Sequence, residues 1–475
     1  MATIDSALQI MAGALNADQA ALNITANNTA NASTPGYTVE DPVWQANDAV
    51  TIQGISYGQG AQMVAAQSQR NLVLNASIDQ QTQAQQATNT EYTAMQQVEE
   101  IFNQVTTSTS GASAGNTGIG DLVTSFFNSV SSLETSPTDT ALQQGVLSAA
   151  NSLAAAFNSA ASQLNTQTSS LNQQVGLVVG QINPLLTSIA QLNQQISSTS
   201  PKADAGQLED QRQYDLQQLS QYIGVDAIKT ENNGLTLTTT SGALLVSEGQ
   251  AFQLTTGNVN GNVDVFTSAP GGPTDITAAQ ASGGGQLAGI LATRDQSIPS
   301  VQDSIDTLAY DLATSINGVQ TAGTDQNGNP GVPLFNIPTT VAGSAAGISV
   351  AITDPSQIAS AGAGLGPGDN SNAVAMAKLQ SQPIVGGQTT TSFYASFISS
   401  LGNTVAGLNT QNTAQQASLK QLQTQQSALS SVNLNEEASS LQTYEQAYQS
   451  AAQFYSVLNT IVVSALNLGV ESAVT

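Results

Sequence analysis

Neither cysteine nor histidine occurs among the 475 residues of this chain. The first absence removes disulfides and thiolate metal sites, and with them any reading of compartment from cysteine chemistry. The second removes the usual general base and the commonest metal ligand. Basic residues are scarce as well, seven against thirty-two acidic ones, for a formal net charge of −25. A chain so negative is repelled by phosphate backbones and anionic lipid, which argues against nucleic-acid binding and membrane-surface attachment. Only 8% of residues are charged, so solubility must come from Gln, Asn, Ser and Thr. No stretch reaches the roughly 18 uninterrupted apolar residues of a membrane span, so no membrane insertion is expected. The N-terminus carries neither a positive nor an apolar leader region, so no cleaved signal peptide is expected. Length sets a prior of about three domains.

What the chain does have is helical periodicity, at both ends and in the middle. Ile4, Leu8, Met11, Leu15 and Leu22 share one face at spacings of three, four and seven, the mark of an amphipathic helix. Thr34-Pro35-Gly36-Tyr37 stops it, because a residue before proline disfavours the helical region. So narrow a stripe needs a partner. Leu434, Leu441, Tyr448, Tyr455 and Val462 recur every seven residues, as do Tyr444, Ala451, Leu458 and Ala465, and this C-terminal seam supplies one. Pairing the two ends as a coiled coil would close the chain like a hairpin, with the body inserted between them.

Between the ends, residues 38–61 read as loop with one short strand at 50–55. From about Gln62 to Val105 the chain is helical and Gln-rich, with Met95, Val98, Phe102 and Val105 as its core stripe. A Ser/Thr/Gly loop at 106–120 precedes a helix bearing Leu122, Phe126, Val130 and Leu133, and Pro137-Thr138-Asp139 is a start signal for the next. Phe157, Leu164, Leu171, Val178, Leu185 and Leu192 form a sevenfold seam with Val175, Ile182, Ile189 and Ile196 beside it, expected to be core. Pro184 predicts a kink, and Pro201 a stop. A further helix runs from Gly206 to about Ile223. Residues 226–282 change to short strands at 235–238, 243–246 and 263–266 between Gly and Asn turns. Gly283-Gly284-Gly285 reads as a hinge out of them. Helices return with Val301, Ile305, Leu308, Leu312, Ile316 and Val319, and again from Ser392 with Ile398, Leu401, Val405, Leu408, Leu419, Leu422 and Leu429.

The expected fold is therefore mainly α, a long helical-bundle body with a small inserted β segment. Its divisions are a terminal helical unit of 1–40 plus 431–475, and a body of 41–225 plus 284–430 that is turn-rich near 325–390. The β-rich insertion is 226–283. No catalytic, cofactor or metal site is expected. Asp325, Asn327 and Asn329 mimic the first ligands of a calcium loop, but Pro330 stands at the glycine position and Asn336 at the bidentate glutamate, so a turn is expected. The glycines at 283–289 lack dinucleotide spacing. Glu99-Glu100 and Glu436-Glu437 are adjacent pairs that diverge on a helix. Asp5, Asp18, Glu436 and Glu437 read as solvated or capping acids.

Residues 20–37, with Asn27, Asn28, Asn31, Thr34, Pro35, Gly36 and Tyr37, resemble the N-terminal signature of flagellar rod, hook and hook-associated proteins. Asn433-Leu434-Asn435-Glu436-Glu437 and the run from Tyr444 to Ala452 resemble their C-terminal one. In the middle, residues 189–196, Leu208-Glu209-Asp210-Gln211-Arg212, Gly289-Ile290-Leu291 with Arg294-Asp295, and 325–331 resemble the FlgK family of hook-associated proteins. Residues 336–390 carry little of the likeness. The resemblance implies a structural subunit of the bacterial flagellum at the hook–filament junction, with no enzymatic activity. It implies extracellular export by the flagellar type III route, and terminal helices that order when subunits meet. The implied partners are further copies of the chain in a helical assembly, hook protein, an adjacent hook-associated protein and an export chaperone on the C-terminal helix. The implied assembly interface is Ile4, Leu8, Met11, Leu15, Leu22, Leu434, Leu441, Tyr444, Tyr448, Ala451, Tyr455, Leu458 and Val462. Two alternatives remain, another axial protein such as hook protein or flagellin, and a flagellum-carried secreted enzyme or adhesin.

Overall fold

The first helix, α1 (Ala2–Asn31), ends where the sequence demands, in a turn at Thr34-Pro35-Gly36 with Gly36 at φ +80°. The computed structural model describes residues 2–52, 54–102, 118–200 and 204–471. Val105, residues 106–117 of the loop expected at 106–120 and the stop at Pro201 lie outside them, and Ile119 and Gly120 already belong to the next helix.

The stretch after Tyr37 differs from the expected loop. Strands β1 (Glu40–Ala46) and β4 (Ala61–Ser68) pair antiparallel along their length, and β2 (Val50–Ile52) and β3 (Ile55–Tyr57) pair between them. The result is a β arm whose base lies against α1. The helix expected from Gln62 begins only at Leu72, after β4. Val50, Ile55, Tyr57 and Val64 are all exposed, so the arm buries no alternate face. Without that burial the two-residue period that announces a strand is absent from the sequence.

Next come α2 (Leu72–Phe102), α3 (Ile119–Thr135), α4 (Thr140–Thr199) and α5 (Gln207–Tyr222). Asp139 caps α4 as its position predicts, its Oδ1 accepting from the Ala141 and Leu142 amides at 2.8 and 3.3 Å. By length and composition alone α4 could cross a bilayer, but its apolar stripe is the spine of the core. Phe157, Leu164, Leu171, Val175, Ile182, Ile189 and Ile196 are all buried. The helix runs through Pro184 as one element, and Ile182, Ile189 and Ile196 keep their spacing across it. Val178 is buried like the sevenfold positions before it, whereas just past the proline burial moves from Leu185 to Leu186.

The β insertion is two small sheets. Strands β5 (Val225–Lys229), β6 (Leu235–Thr239), β7 (Leu244–Ser247) and β8 (Gln250–Ala251) form one, in that order. Strands β9 (Leu254–Val259), β10 (Asn262–Thr267) and β11 (Thr274–Asp275) form the other, with β10 central. Asparagines of α4 hold both. Asn183 exchanges hydrogen bonds with the Leu254 backbone at 2.8 and 2.9 Å, and Asn193 donates to the Leu235 and Glu248 carbonyls.

The chain leaves through α6 (Thr277–Gln280) and α7 (Gly285–Ala292). The triple glycine is a tight crossing instead of the expected hinge. Gly285 sits at φ +75° with room for no side chain, since a Cβ there would lie 2.4 Å from the Ile223 nitrogen. Gly289, one turn on, brings α7 against α2, where a Cβ would meet the Ala87 carbonyl at 2.4 Å. A π-helical turn (Thr293–Ser297) then leads into α8 (Ile298–Ala322), whose Val301, Ile305, Leu308, Leu312 and Ile316 are buried as expected.

The turn-rich segment is pinned to α8 by polar side chains. Asn317 binds the Leu334 and Phe335 backbones, where β12 (Phe335–Asn336) begins. Asp306 accepts the Gly343 and Ala345 amides at 2.8 and 2.7 Å, capping α9 (Ser344–Gly347). Strand β13 (Ser349–Val350) pairs with β12, and α10 (Ser371–Lys378) packs on α3 and α8. Asp325 Oδ1 accepts the Asn327 and Asn329 amides, each at 2.8 Å, and so closes its own turn. Two long helices complete the chain, α11 (Thr390–Ser430) and α12 (Leu434–Glu471).

Candidate functional site

The two chain ends meet at one buried side chain. Asn28 lies on the last full turn of α1, only 1% exposed. It makes the four hydrogen bonds that a side-chain amide can offer, two as donor and two as acceptor. Its Nδ2 donates to the Glu40 carbonyl at 2.9 Å and to Glu437 Oε1 at 3.0 Å. Its Oδ1 accepts from the Tyr37 hydroxyl at 2.8 Å and the Glu40 amide at 3.1 Å. One residue thereby ties α1, the turn after it, the start of β1 and the first turn of α12.

The rest of the N-terminal motif builds the turn that makes this possible. Asn31 donates to Asn27 Oδ1 at 2.9 Å, and Thr34 donates to Asn31 Oδ1 at 3.1 Å. Gly36 takes its positive φ beside Tyr214, whose Cβ would stand 3.0 Å from any side chain added there. Pro35 is exposed. Beyond the turn, the Thr38 amide donates to Asp210 Oδ2 at 2.7 Å. Arg70, at the end of the arm, binds Asp210 at 2.8 Å, Glu209 at 2.7 Å and Asp204 at 3.3 Å. The end of α11 joins the same junction, the Val39 amide donating to the Ser430 carbonyl and the Ser430 hydroxyl to the Gln69 carbonyl, both at 2.9 Å.

Acids crowd this site. Burial pushes the Glu437 carboxyl above its usual range, the hydrogen bond from Asn28 opposes that, and Asp41 and Glu436 add to it. Burial raises Glu40 likewise, reinforced by Asp210 and Asp204. The Tyr37 phenol is raised by burial and then by Glu40, Asp210 and Glu437, so it stays a hydrogen-bond donor.

From the junction α12 packs along α1. The buried positions of α1 are Ala17, Ala21, Ile24, Thr25 and Asn28, a stripe beside the expected one. Ile4, Leu8, Met11, Leu15 and Leu22 are half-buried along its margins. On α12, Glu437 and Ala451 are buried, and Tyr444, Leu458 and Val462 are half-buried. Trp44 of the arm lies 6.2 Å from the Tyr444 ring. Leu434, Leu441, Tyr448 and Tyr455, from one of the two series the sequence offers together as the seam that partners α1, are exposed instead. With Val463 and Leu466 they form an uncovered apolar surface, and Phe454, Val457 and Ile461 are exposed on the opposite side of the helix. Up to Leu458 the two seven-residue series thus have different surroundings, with Tyr444, Ala451 and Leu458 facing inward, whereas beyond it Val462 is half-buried and Ala465 exposed. Small residues between two helices let their backbones approach, which a tyrosine at the position of Ala451 would prevent.

Ala17 and Glu40 are site residues that the sequence did not disclose, and Ala21, Ile24 and Glu437 stand there only inside the terminal signatures, with no contact assigned to them. The alanines carry no signal because an apolar stripe is sought among larger residues. Glu437 reads in sequence as one more solvated or capping acid. In the fold Glu436 turns outward while Glu437 turns onto Asn28.

A second polar group sits in the body. A cavity of about 230 Å³ between α2, α5 and β5 is lined by Arg70, Asp79, Glu209, Arg212 and Lys229 among others. Asp79 is 6% exposed, and its Oδ2 accepts from Gln213 at 2.9 Å. Its Oδ1 has no hydrogen-bond partner among the described residues. Burial raises its pKa to about 7, opposed by the Gln213 bond. Folded protein therefore holds a proton that the unfolded chain releases, so this group's stabilisation is greatest below pH ~4 and is lost as pH rises to about 7, by at most ~4 kcal/mol. Asp79→Asn should flatten that slope and raise stability at pH 8, measured by denaturant unfolding at several pH values. An unchanged slope would assign the charge elsewhere.

Residues 95–335 match the family described as the flagellar hook-associated protein FlgK helical domain, and residues 8–38 match flagella basal body rod proteins. The chain is 25% identical to flagellar hook-associated protein 1 of Salmonella typhimurium, covering 96% of this chain and 98% of that one. It is 24% identical to the protein of the same name in Bacillus subtilis, covering 96% of each. Among solved structures it is similar in fold to the flagellar hook junction protein FlgK from Burkholderia pseudomallei, with TM-score 0.65 and 19% identity over 75% of this chain and 99% of that one.

Proposed function

The chain belongs to the flagellar hook-associated protein FlgK family, and from that premise we propose that it is a structural subunit joining hook to filament in the bacterial flagellum. The observation that carries the reading is the uncovered apolar surface of α12, from Leu434 through Leu441, Tyr448 and Tyr455 to Leu466, backed along its length by α1. A surface of this kind on one continuous helix is a contact surface for other chains. Its occupants are neighbouring copies in a helical axial assembly, hook protein on one side and an adjacent hook-associated protein on the other. Before assembly an export chaperone covers it, and the chain leaves the cell by flagellar type III export.

In this reading residues 1–40 with 431–475 are the assembly unit, 41–225 with 284–430 are the body that spaces it, and 226–283 is carried outward on α4. The chain catalyses no reaction. Its chemistry is packing, and the polar groups at the junction are spent on holding one another.

Deleting residues 433–475 should abolish filament attachment in the cell while the purified body keeps its helical circular dichroism. Normal filaments on such cells would overturn the proposal. Antibody labelling should find the full-length chain at hook tips, and labelling along whole filaments would assign it to another axial role.

A further inference from the structure

We propose that residues 409–430 of α11 open from the body as a separate unit, because their seam with α2 is held by amide hydrogen bonds where the rest of the helix is held by apolar packing. The two helices run antiparallel for most of their length, and the seam changes character along it. At one end Phe102 and Phe397 stack edge-to-face with centroids 5.0 Å apart, and Leu401 and Val405 are buried in the main core. Leu408 is the last residue of α11 to pack against that core.

Beyond Leu408 the inward positions are Asn412, Gln415, Leu419, Leu422, Gln426 and Ser430. Gln85 donates to Asn412 Oδ1 at 3.0 Å, and Asn412 in turn donates to Asn89 Oδ1 at 3.0 Å. Further along, Gln426 donates to Asn75 Oδ1 at 2.8 Å and Gln81 to the Gln415 carbonyl at 3.2 Å. Leu419 and Leu422 are only half-buried, and Leu429 points out at 55% exposure.

Such a seam specifies register strongly and holds weakly. Each amide that leaves it exchanges a protein partner for water at little net change, whereas a leucine leaving a core loses its burial outright. One buried oxygen at this seam, Gln415 Oε1, has no partner among the described residues, so opening would also hydrate a group that is now unsatisfied. A long helix draws its stability from tertiary packing, and residues 409–430 have little of it. α2 is different. Its other faces pack on α5 and α7, so it should stay folded when α11 lifts. Since α12 follows α11 after three residues, the segment is a weak joint between the body and the chain ends. This opening follows from the seam alone and holds whether or not the chain joins hook to filament.

Native-state amide exchange of the full-length chain at low denaturant tests this. Amides of residues 412–428 should exchange on the order of 100-fold faster than those of α8 and of residues 150–192 in α4, with little denaturant dependence, as expected for local opening. Residues 75–90 of α2 should keep the slow rate. Equal protection and equal denaturant dependence in 412–428 and α8 would overturn the proposal. A double variant, Gln85→Leu with Asn412→Leu, should slow exchange of 412–428 by roughly tenfold or more, with α4 unchanged, as apolar contact replaces the ladder. Unchanged exchange in a folded double variant would overturn the amide seam as the cause.

Discussion

Asn28→Ala should release the C-terminal helix from the junction and leave the melting of the helical body unchanged. The substitution removes both donations, to Glu40 and Glu437, and both acceptances, from Tyr37 and the Glu40 amide. A buried polar group stripped of its partner costs ~1–3 kcal/mol. Four such groups lose one here, and because they share a site their costs do not add. We expect ~3–4 kcal/mol, taken from the junction of α1, β1 and α12 and not from the main apolar core, since the partners of Asn28 all lie outside that core and Glu437 is the one that holds α12. The measurement is amide exchange or limited proteolysis within residues 434–467, compared with residues 150–192 of α4. Faster cleavage of the first range with the second unchanged is the expected result. Equal resistance to wild type would show that α1 holds α12 through its alanines alone.

Asn28→Asp sharpens the test. At neutral pH it places a carboxylate against Glu437, whose own carboxyl is already raised by burial, and both donations are lost. It should therefore be at least as damaging as alanine. As pH falls one of the two acids takes up a proton and can donate to the other, so attachment should recover in acid, which alanine cannot do. Parallel pH profiles for the two variants would remove the electrostatic part of this account.

Arg294→Met should destabilise the seat of the β insertion by ~3–5 kcal/mol, the range for removing one partner from a buried ion pair. Arg294 is 2% exposed, among the most deeply buried large side chains in the chain. Its Nε and Nη2 hold Asp295 at 2.7 and 2.9 Å, and its Nη1 donates to Asn172 Oδ1 at 2.9 Å and to the Val263 carbonyl at 2.5 Å. Asp264 completes the set at 3.5 Å. The π-helical turn at 293–297 aims this side chain inward, toward α4 and β10 together. Methionine fills similar space but leaves two carboxylates and two other acceptors without the donor they share. Arg294→Lys keeps the charge and loses the fork, so it should fall between the two. The check is denaturant unfolding followed by exchange at residues 262–267 and 285–292. A loss below ~1 kcal/mol for Arg294→Met would mean that water replaces the guanidinium and that the site is not sealed.

Much of this architecture follows from residues close together in sequence. The cap at Asp139, the seam from Phe157 to Ile196, the stripe of α8 and the run of strands between 225 and 275 each depend on periodicity or on a side chain reaching two or three residues. The signatures at both ends and in the middle pointed to the FlgK family before any contact was known. Periodicity also announced that α12 carries two sevenfold series, since Leu434 and Tyr444 begin repeats of the same period.

Which series faces α1 was decided only in three dimensions. The sequence offers both series alike, and two helices that must lie close need small residues between them. The alanines at 17, 21 and 451 meet that need, and the larger residues stay outside. The β arm was hidden for a related reason, because exposed strands leave no alternation to read. Glycines 285 and 289 gave no sign of their purpose until Ile223 and Ala87 arrived beside them. The role of Glu437 depended on Asn28, 409 residues away. By itself the sequence determined most of the elements, their apolar faces and the family, because those are local in the chain. Only the tertiary structure decided which faces meet, because that depends on how closely two backbones can approach and on which buried polar group finds its partner.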